Sequence, residues 1–362
     1  MKVIHIVEAF AGGVFNSIRL LINNINNCEY IIIHGKRDKT PSNIQKYFPE
    51  NVKLIRWRHA LREINPIKDS LALYELISLL KKYKNEVDII HLHSSKAGFL
   101  GRLGARLLGL QDKVIYNPRG AAFLRCDISN KKKAFYMMLE KLGAQFGGLV
   151  VACSKSESIA FNNIGINAIF INNGYNCNNH SDSLKNFNKK ITSKTIIGTI
   201  GRITHQKNPQ LFNQIAQHFN NIEFLWIGDG ELKNLLTSKN ITITGWLSQQ
   251  ELSALLSTTV DIYLSTSLWE GLPVAVLQAM CYKKPLILHN CVGNRDLVVN
   301  EYNGYLFETL EEAINVINKL LSNKRLISLF GLNSYELFLR EFSIKHTAKQ
   351  YKQLYEKLCS KN

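Results

Sequence analysis

Short, nearly continuous apolar runs rich in Ile and Val recur along the whole chain of 362 residues, and helical segments fill the intervals between them. The runs are MKVIHIV, EYIIIHG, VKLIRW, DIIHLH, KVIYN, GLVVACS and AIFIN, followed later by TIIGTIG, IEFLWIG, ITITGW, DIYLST and PLILHN. Strands covered on both faces by crossover helices read this way, whereas half-exposed antiparallel strands alternate apolar with polar. The intervening segments NSIRLLINNIN, PIKDSLALYELISLLKKY, NPQLFNQIAQHF, SQQELSALLS and LEEAINVINKLLS place apolar residues at steps of three and four, as helices packed on a sheet do. The pattern predicts an α/β protein with doubly wound parallel sheets.

A chain of this length exceeds one ordinary core. The polar stretch NCNNHSDSLKNFNKKITSK (176–194) interrupts the alternation halfway, which predicts a first Rossmann-like domain at 1–175, a linker at 176–194 and a second Rossmann-like domain at 195–362. The last helix is expected to pack back on the first domain. Ligands of open parallel sheets bind beyond the carboxyl ends of the strands, so the chemistry is sought in the loops lining a cleft between the two domains.

Composition excludes several classes. With 46% hydrophobic and 20% charged residues and 7 prolines, the chain is neither disordered nor fibrous. Seven scattered cysteines with no CxxC spacing argue against a zinc site or a disulfide framework and for a reducing compartment. The start, MKVIHIVEAFAGG, lacks signal-peptide features, and no apolar run approaches the roughly 18 residues of a membrane span, so a cytoplasmic location is expected. The net charge is +17 and lies mainly in the first half, where 25 Lys+Arg face 13 Asp+Glu, against 20 and 15 in the remainder. Such a surface attracts nucleic acid, anionic lipid or a phosphorylated substrate alike.

Four loops carry the candidate chemistry. Gly12 and Gly13 follow the first strand, just before a helix expected to start near Asn16 or Ser17, and would let backbone N–H groups approach an anion. Gly201-Arg202-Ile203-Thr204-His205-Gln206-Lys207-Asn208-Pro209 follows a strand of the second half; Arg202 and Lys207 can converge on one diphosphate. Gly228-Asp229-Gly230-Glu231 and Thr244-Gly245-Trp246-Leu247 offer main-chain groups that could frame a planar base. In Glu270-Gly271-Leu272-Pro273, a carboxylate sits on a glycine turn and a helix starts at or just after Pro273, so Glu270 can accept from a sugar hydroxyl while helix N–H groups meet phosphate oxygens.

These motifs, in this order, resemble the retaining glycosyltransferases of the GT-B architecture, the large "group 1" (family 4) type that includes bacterial surface-polysaccharide and lipopolysaccharide enzymes. GRITHQKNP, GDGE, TGW and above all EGLPVAVLQAM (270–280) carry the likeness in the second half. AGG after the first strand, HLHSSKAGFLGRLGARLLG, VACSKSES and INNGYN extend it through the first. The resemblance implies a donor-binding role for Gly12, Gly13, Gly228, Trp246, Leu247, Gly271, Leu272 and Pro273, with Arg202 and Lys207 on the diphosphate and Glu270 on the donor sugar. Two positions depart from the family pattern. Gln278 stands where a second Glu reads the ribose, and an amide can still accept from a hydroxyl. Arg119 stands in Asn117-Pro118-Arg119-Gly120 where many relatives have a His; it suits a carboxylate or phosphate instead.

The resulting expectation is a retaining glycosyltransferase. It would move a sugar from a nucleotide diphosphate donor, a UDP-sugar by preference, to a lipid-linked or growing surface glycan, with the departing diphosphate assisting deprotonation of the acceptor. No DxD motif occurs, so no metal and no cofactor is expected. A GT-B nucleotide-sugar epimerase or phosphorylase is the alternative within enzymes, although no catalytic set of either matches. A basic nucleic-acid-binding protein is a remote one, without any recognisable module. Two cationic clusters beside aromatic or apolar groups, 56–62 (RWRHALR) and 131–138 (KKKAFYMM), suggest peripheral association with the anionic inner face of the cytoplasmic membrane.

Overall fold

The computed structural model describes residues 1–37, 40–61, 63–177 and 194–360. They form two compact units: residues 1–174 together with the chain from Ile344 on, and Tyr175–Ser343. The expected linker lies almost wholly outside the described residues, as does Arg62 of the first cationic cluster.

The first unit contains β1 (Lys2–Val7), α1 (Gly12–Ile22), β2 (Glu29–His34), β3 (Lys53–Arg56), α2 (Pro66–Lys82), β4 (Ile89–His93), α3 (Ser95–Leu107), β5 (Val114–Asn117), α4 (Asn130–Gln145), β6 (Leu149–Ala152), α5 (Lys155–Asn163) and β7 (Ala168–Phe170). Its seven strands form one parallel sheet in the order β3-β2-β1-β4-β5-β6-β7. The strand order reverses between β1 and β4, where His5 lies opposite His91. One core, with Ile4, Ile6, Ile90 and Leu92, lies beneath α2 and α3; the other, with Val3, Val7, Ile89 and Ile115, lies beneath α1.

The second unit contains β8 (Ile196–Ile200), α6 (Pro209–His218), β9 (Glu223–Ile227), β10 (Ile241–Ile243), α7 (Gln249–Thr258), β11 (Ile262–Ser265), α8 (Val274–Cys281), β12 (Leu286–His289), β13 (Gly304–Phe307), α9 (Leu310–Leu321) and α10 (Lys324–Leu337). Its six parallel strands run β10-β9-β8-β11-β12-β13, with the reversal between β8 and β11. The final helix α11 (Ile344–Cys359) belongs to the first unit, where Ala348, Tyr351 and Tyr355 enter the core on the α1 side.

The apolar runs all become strands, and β13 is an addition. It opens on a glycine and reads GYLF, without the Ile and Val that mark the other runs. Three expectations are corrected. Helix α1 begins at Gly12 rather than near Asn16 or Ser17: Ala11 is the extended cap, and the glycines occupy a first turn whose N–H groups lack intrahelical partners in any case. Trp57 is no surface aromatic; it is wholly buried and its Nε1 donates to the Ala72 carbonyl at 2.9 Å. Cys177 and Cys281 form a disulfide with their Cα atoms 5.8 Å apart, although 104 residues separate them in sequence. Pairing depends on proximity in space, which spacing along the chain does not disclose. The inference of a reducing compartment rested on the same scatter and loses its basis.

Candidate functional site

In the second unit, the expected residues gather at the strand-order reversal. The loop after β8 carries Arg202 and Lys207, and the loop after the neighbouring β11 carries Glu270. Lys207 Nζ donates to Glu270 Oε1 at 2.6 Å, and Gln206 Nε2 donates to the Trp269 carbonyl at 2.8 Å and to Glu270 Oε2 at 3.4 Å. Backbone ties fasten the two loops: Leu268 N–H donates to the Gln206 carbonyl, and Thr266 Oγ1 donates to the Lys207 carbonyl at 2.7 Å. Burial works against the Lys207 ammonium, but the Glu270 carboxylate outweighs it and leaves the Lys207 pKa above its ordinary value. Burial, then the Glu270 charge, pushes the neighbouring Cys291 thiol up to about 12, so it stays protonated. Arg202 is exposed, and its guanidinium has no hydrogen-bond partner among the described residues.

Glu270 itself is buried, and so are Leu272 and Gln278. Pro273 caps α8 in extended backbone, which directs the first-turn N–H groups of the helix toward the Glu270-Gly271-Leu272 turn. Gln278 lies on α8, with Nε2 3.4 Å from the Tyr175 hydroxyl. Gly228 has φ 141°, and a Cβ there would collide with the Gly201 carbonyl oxygen, so the loops after β8 and β9 touch through bare backbone. Trp226 Nε1 holds that same carbonyl at 2.9 Å. The loop at Trp246 and Leu247 joins this group through a bridge between Gly228 and Gly245, and Trp246 stays exposed.

In the first unit, Gly12 and Gly13 lie exposed after β1, with nothing within 4 Å of a Cβ placed on either. Arg119 follows β5 in left-handed backbone, φ 61°. Its guanidinium donates to Asn173 Oδ1 at 2.6 Å and lies 3.4 Å from His93 Nδ1, beside a small pocket lined by Ser17, Gly174, Thr347 and Tyr351. Sequence reasoning missed what fixes this loop. Wholly buried Glu157 accepts the Gly120 and Ala121 N–H groups on Oε1, at 2.8 and 2.9 Å, and the Cys153 N–H on Oε2 at 2.8 Å. The local signal was Ser154, which caps α5 three residues ahead of Glu157.

Also unforeseen are His5, His91 and His93, all buried within a few ångströms of one another on β1 and β4. His5 Nδ1 and His93 Nε2 share a hydrogen at 2.9 Å, and His91 Nδ1 bonds the Tyr355 hydroxyl at 2.8 Å. Burial drives all three toward the neutral form, with His5 pushed down to about 3, and the Arg119 charge adds to the effect. Their grouping depends on strand register, which the sequence does not display.

Against known proteins, the family model described as "Glycosyl transferases group 1" matches residues 181–336. An Escherichia coli protein named UDP-Gal:alpha-D-GlcNAc-diphosphoundecaprenol alpha-1,3-galactosyltransferase is 30% identical, with 85% of each chain covered. The chain belongs to the group 1 glycosyltransferases. The O-antigen biosynthesis glycosyltransferase WbnH of Escherichia coli is 28% identical across 68% of this chain and 70% of its own. Among solved structures, sucrose-phosphate synthase from Thermosynechococcus elongatus superposes with a TM-score of 0.83 at 17% identity, covering 100% of both chains, which establishes the GT-B fold. For this group 1 member, the Lys207–Glu270 pair, the Gly201–Gly228 contact and the α8 N-terminus are the parts the fold assembles beyond the carboxyl ends of its second sheet.

Proposed function

We propose that this glycosyltransferase is a retaining, metal-independent enzyme that moves a sugar from a UDP-sugar to a lipid-linked glycan of the O-antigen, capsule or lipopolysaccharide type. The observation that carries the reading is the ion pair of half-buried Lys207 with buried Glu270 at the strand reversal, with exposed Arg202 on the same loop as Lys207. The galactosyltransferase relative, named for UDP-Gal and a diphosphoundecaprenol acceptor, supports the donor and acceptor classes.

In this reading Arg202, Lys207 and the first-turn N–H groups of α8 hold the diphosphate, so fixed positive charge does what a metal ion does elsewhere. Glu270 accepts from a hydroxyl of the donor sugar, with Gly271, Leu272 and Pro273 lining its pocket. Gly228 and the Trp246–Leu247 main chain frame the base, and Gln278 accepts from the ribose. Gly12 and Gly13 approach the donor phosphates or the acceptor, and Arg119 takes an anionic group of donor or acceptor. The acceptor hydroxyl attacks the anomeric carbon on the face the diphosphate leaves. The bond from that carbon to the diphosphate oxygen breaks as the new glycosidic bond forms. The hydroxyl proton passes to the departing diphosphate, and configuration is retained.

Calorimetry with UDP and uridine, with EDTA present, tests the donor half. UDP is expected to bind more tightly than uridine, and Arg202→Ala and Lys207→Ala should each weaken UDP more than uridine. Equal losses for both ligands would remove these cations from the diphosphate, and UDP binding that disappears with EDTA would contradict metal independence.

A further inference from the structure

Glu8 is a buried carboxylate that the reaction as described does not use. It is the first residue beyond β1, it is 7% exposed, and it stands at the strand-order reversal of the first sheet. Val7 pairs with His93 across the β1–β4 ladder, so Glu8 and Ser94 leave the two strands side by side. That is the carboxyl edge where ligands of an open parallel sheet bind.

Glu8 has fewer donors than a buried carboxylate takes. Its Oε2 accepts from the Ala97 N–H at 3.2 Å, and its own N–H also turns toward the carboxylate. No side chain donates to it among the described residues. Lys96 gives its ammonium instead to Asp69 Oδ1 at 2.6 Å and to the Glu63 carbonyl. Arg37 and Lys96 act on Glu8 through their charge, yet burial leaves the carboxyl pKa above its ordinary value. An ionised carboxylate offers roughly four acceptor sites, and two N–H groups leave about half of them for a ligand.

Ser94 is incomplete in the same way. It stands at the N-cap of α3 with φ 70° and ψ 164°, a region that glycine enters freely and a serine holds only under strain. An N-cap serine ordinarily sits in extended backbone and accepts from the first turn of its helix. Here the hydroxyl caps nothing, and Glu8 takes the Ala97 N–H in its place. The backbone is pinned: the Ser94 N–H donates to the Asn117 carbonyl at 3.0 Å, and the Gly98 N–H donates to the Ser94 carbonyl at 2.8 Å. On the other side of Glu8, a Cβ at Gly35 would collide with the Glu8 carbonyl oxygen, so the end of β2 holds it through bare backbone. Capping alone explains neither feature, since a serine in extended backbone at position 94 would cap α3 without strain and without a buried charge.

We propose that Glu8 and Ser94 are specificity-determining residues for the acceptor: the Glu8 carboxylate accepts from a hydroxyl of the acceptor sugar, and the Ser94 hydroxyl bonds a neighbouring oxygen of that sugar. A polyol suits the pair because each of its hydroxyls both donates and accepts, whereas the carboxylate repels an anionic group. The sugar is the acceptor's because Glu270 of the second unit holds the donor sugar in the proposed function, and the inference rests on that reading. An acceptor without the hydroxyl would leave the carboxylate buried and short of donors, which is how a hydrogen-bonding site discriminates strongly.

Binding of lipid-linked glycans extracted from the native cells, and sugar transfer to them from UDP-hexoses, are measured together with UDP affinity and the melting temperature. Glu8→Gln keeps an oxygen for the Ala97 N–H and removes the charge. It should lower kcat/KM for the acceptor at least about tenfold and leave UDP affinity within about twofold. Ser94→Gly separates ligand from scaffold, because it removes the hydroxyl and relieves the backbone. Its melting temperature should hold or rise while the acceptor KM rises about threefold or more. An acceptor KM within about twofold of the parent in Ser94→Gly overturns the role of Ser94, and the same result in Glu8→Gln overturns that of Glu8. Equal losses for acceptor and UDP would make both residues scaffold and overturn the proposal. If Glu8→Gln fails to fold, Ser94→Gly decides. A wild type that binds the glycans, loses them in both variants and binds no UDP keeps the acceptor site and refutes the donor reading. A wild type that neither binds nor modifies the glycans overturns the inference.

Discussion

The two units share a parallel sheet with a reversal in strand order, and each buries basic side chains there, but the charge of those side chains differs. In the first unit His5, His91 and His93 have each other, Tyr355 and the cationic Arg119 as neighbours, and burial holds them neutral. In the second, Lys207 is also desolvated, yet Glu270 at 2.6 Å keeps it charged. Burial therefore sets the charge state of a base unless a counter-ion lies within hydrogen-bond reach. One reversal is filled by neutral rings and held as structure. The other stores a pair of opposite charges, which in the proposed function a diphosphate and a sugar hydroxyl engage.

The sharpest break of this contrast is at Glu270. Glu270→Gln is expected to lower kcat/KM for sugar transfer by at least about tenfold, since loss of a charged hydrogen bond costs roughly 1.5 to 3 kcal/mol. The melting transition should stay cooperative. Activity within about threefold of the parent would leave the pair as a structural feature only.

Acid tests the other side. The histidines have folded pKa values below their unfolded value, so the unfolded chain binds more protons as pH falls. Their stabilising contribution is complete above about pH 6.5 and declines below it, at up to about 1.4 kcal/mol per pH unit for each histidine that titrates only on unfolding. Urea midpoints at successive pH values should fall accordingly, and less steeply in His5→Gln. A midpoint independent of pH down to the carboxylate range would mean that the cluster takes up protons without unfolding.

The smallest effect concerns Cys177–Cys281, which ties the start of the second unit to the end of α8. Thiol titration of the denatured protein should count five groups before reduction and seven after. Seven in both states would remove the crosslink from the comparison.

Much of the second unit was legible because its site is local in sequence: Arg202 and Lys207 share one loop, Glu270-Gly271-Leu272-Pro273 another, and each follows a strand visible as an apolar run. The first unit was read less well because its arrangements are non-local. His5 meets His91 only through the β1–β4 register, 86 residues apart, and Glu157 fixes a loop 36 and 37 residues upstream. Trp57 sits between two arginines in sequence, and nothing local indicates that its ring turns inward onto α2. Periodicity reports the faces of single elements, whereas these features arise from which elements become neighbours.

The late return of α11 also bears on how the chain acquires its structure. The second unit is continuous in sequence and can consolidate as a unit while the ribosome continues. The first cannot, because the core beneath α1, with Val3, Val7, Ile32 and Ile89, is only partly covered by α1 and stays incomplete until Ala348, Tyr351 and Tyr355 emerge. Contacts that span more than three hundred residues carry a high loop-closure cost and slow folding. The part of the protein synthesised first is thus the part finished last, and during that interval its apolar sheet face depends on chaperones or on speed to escape aggregation.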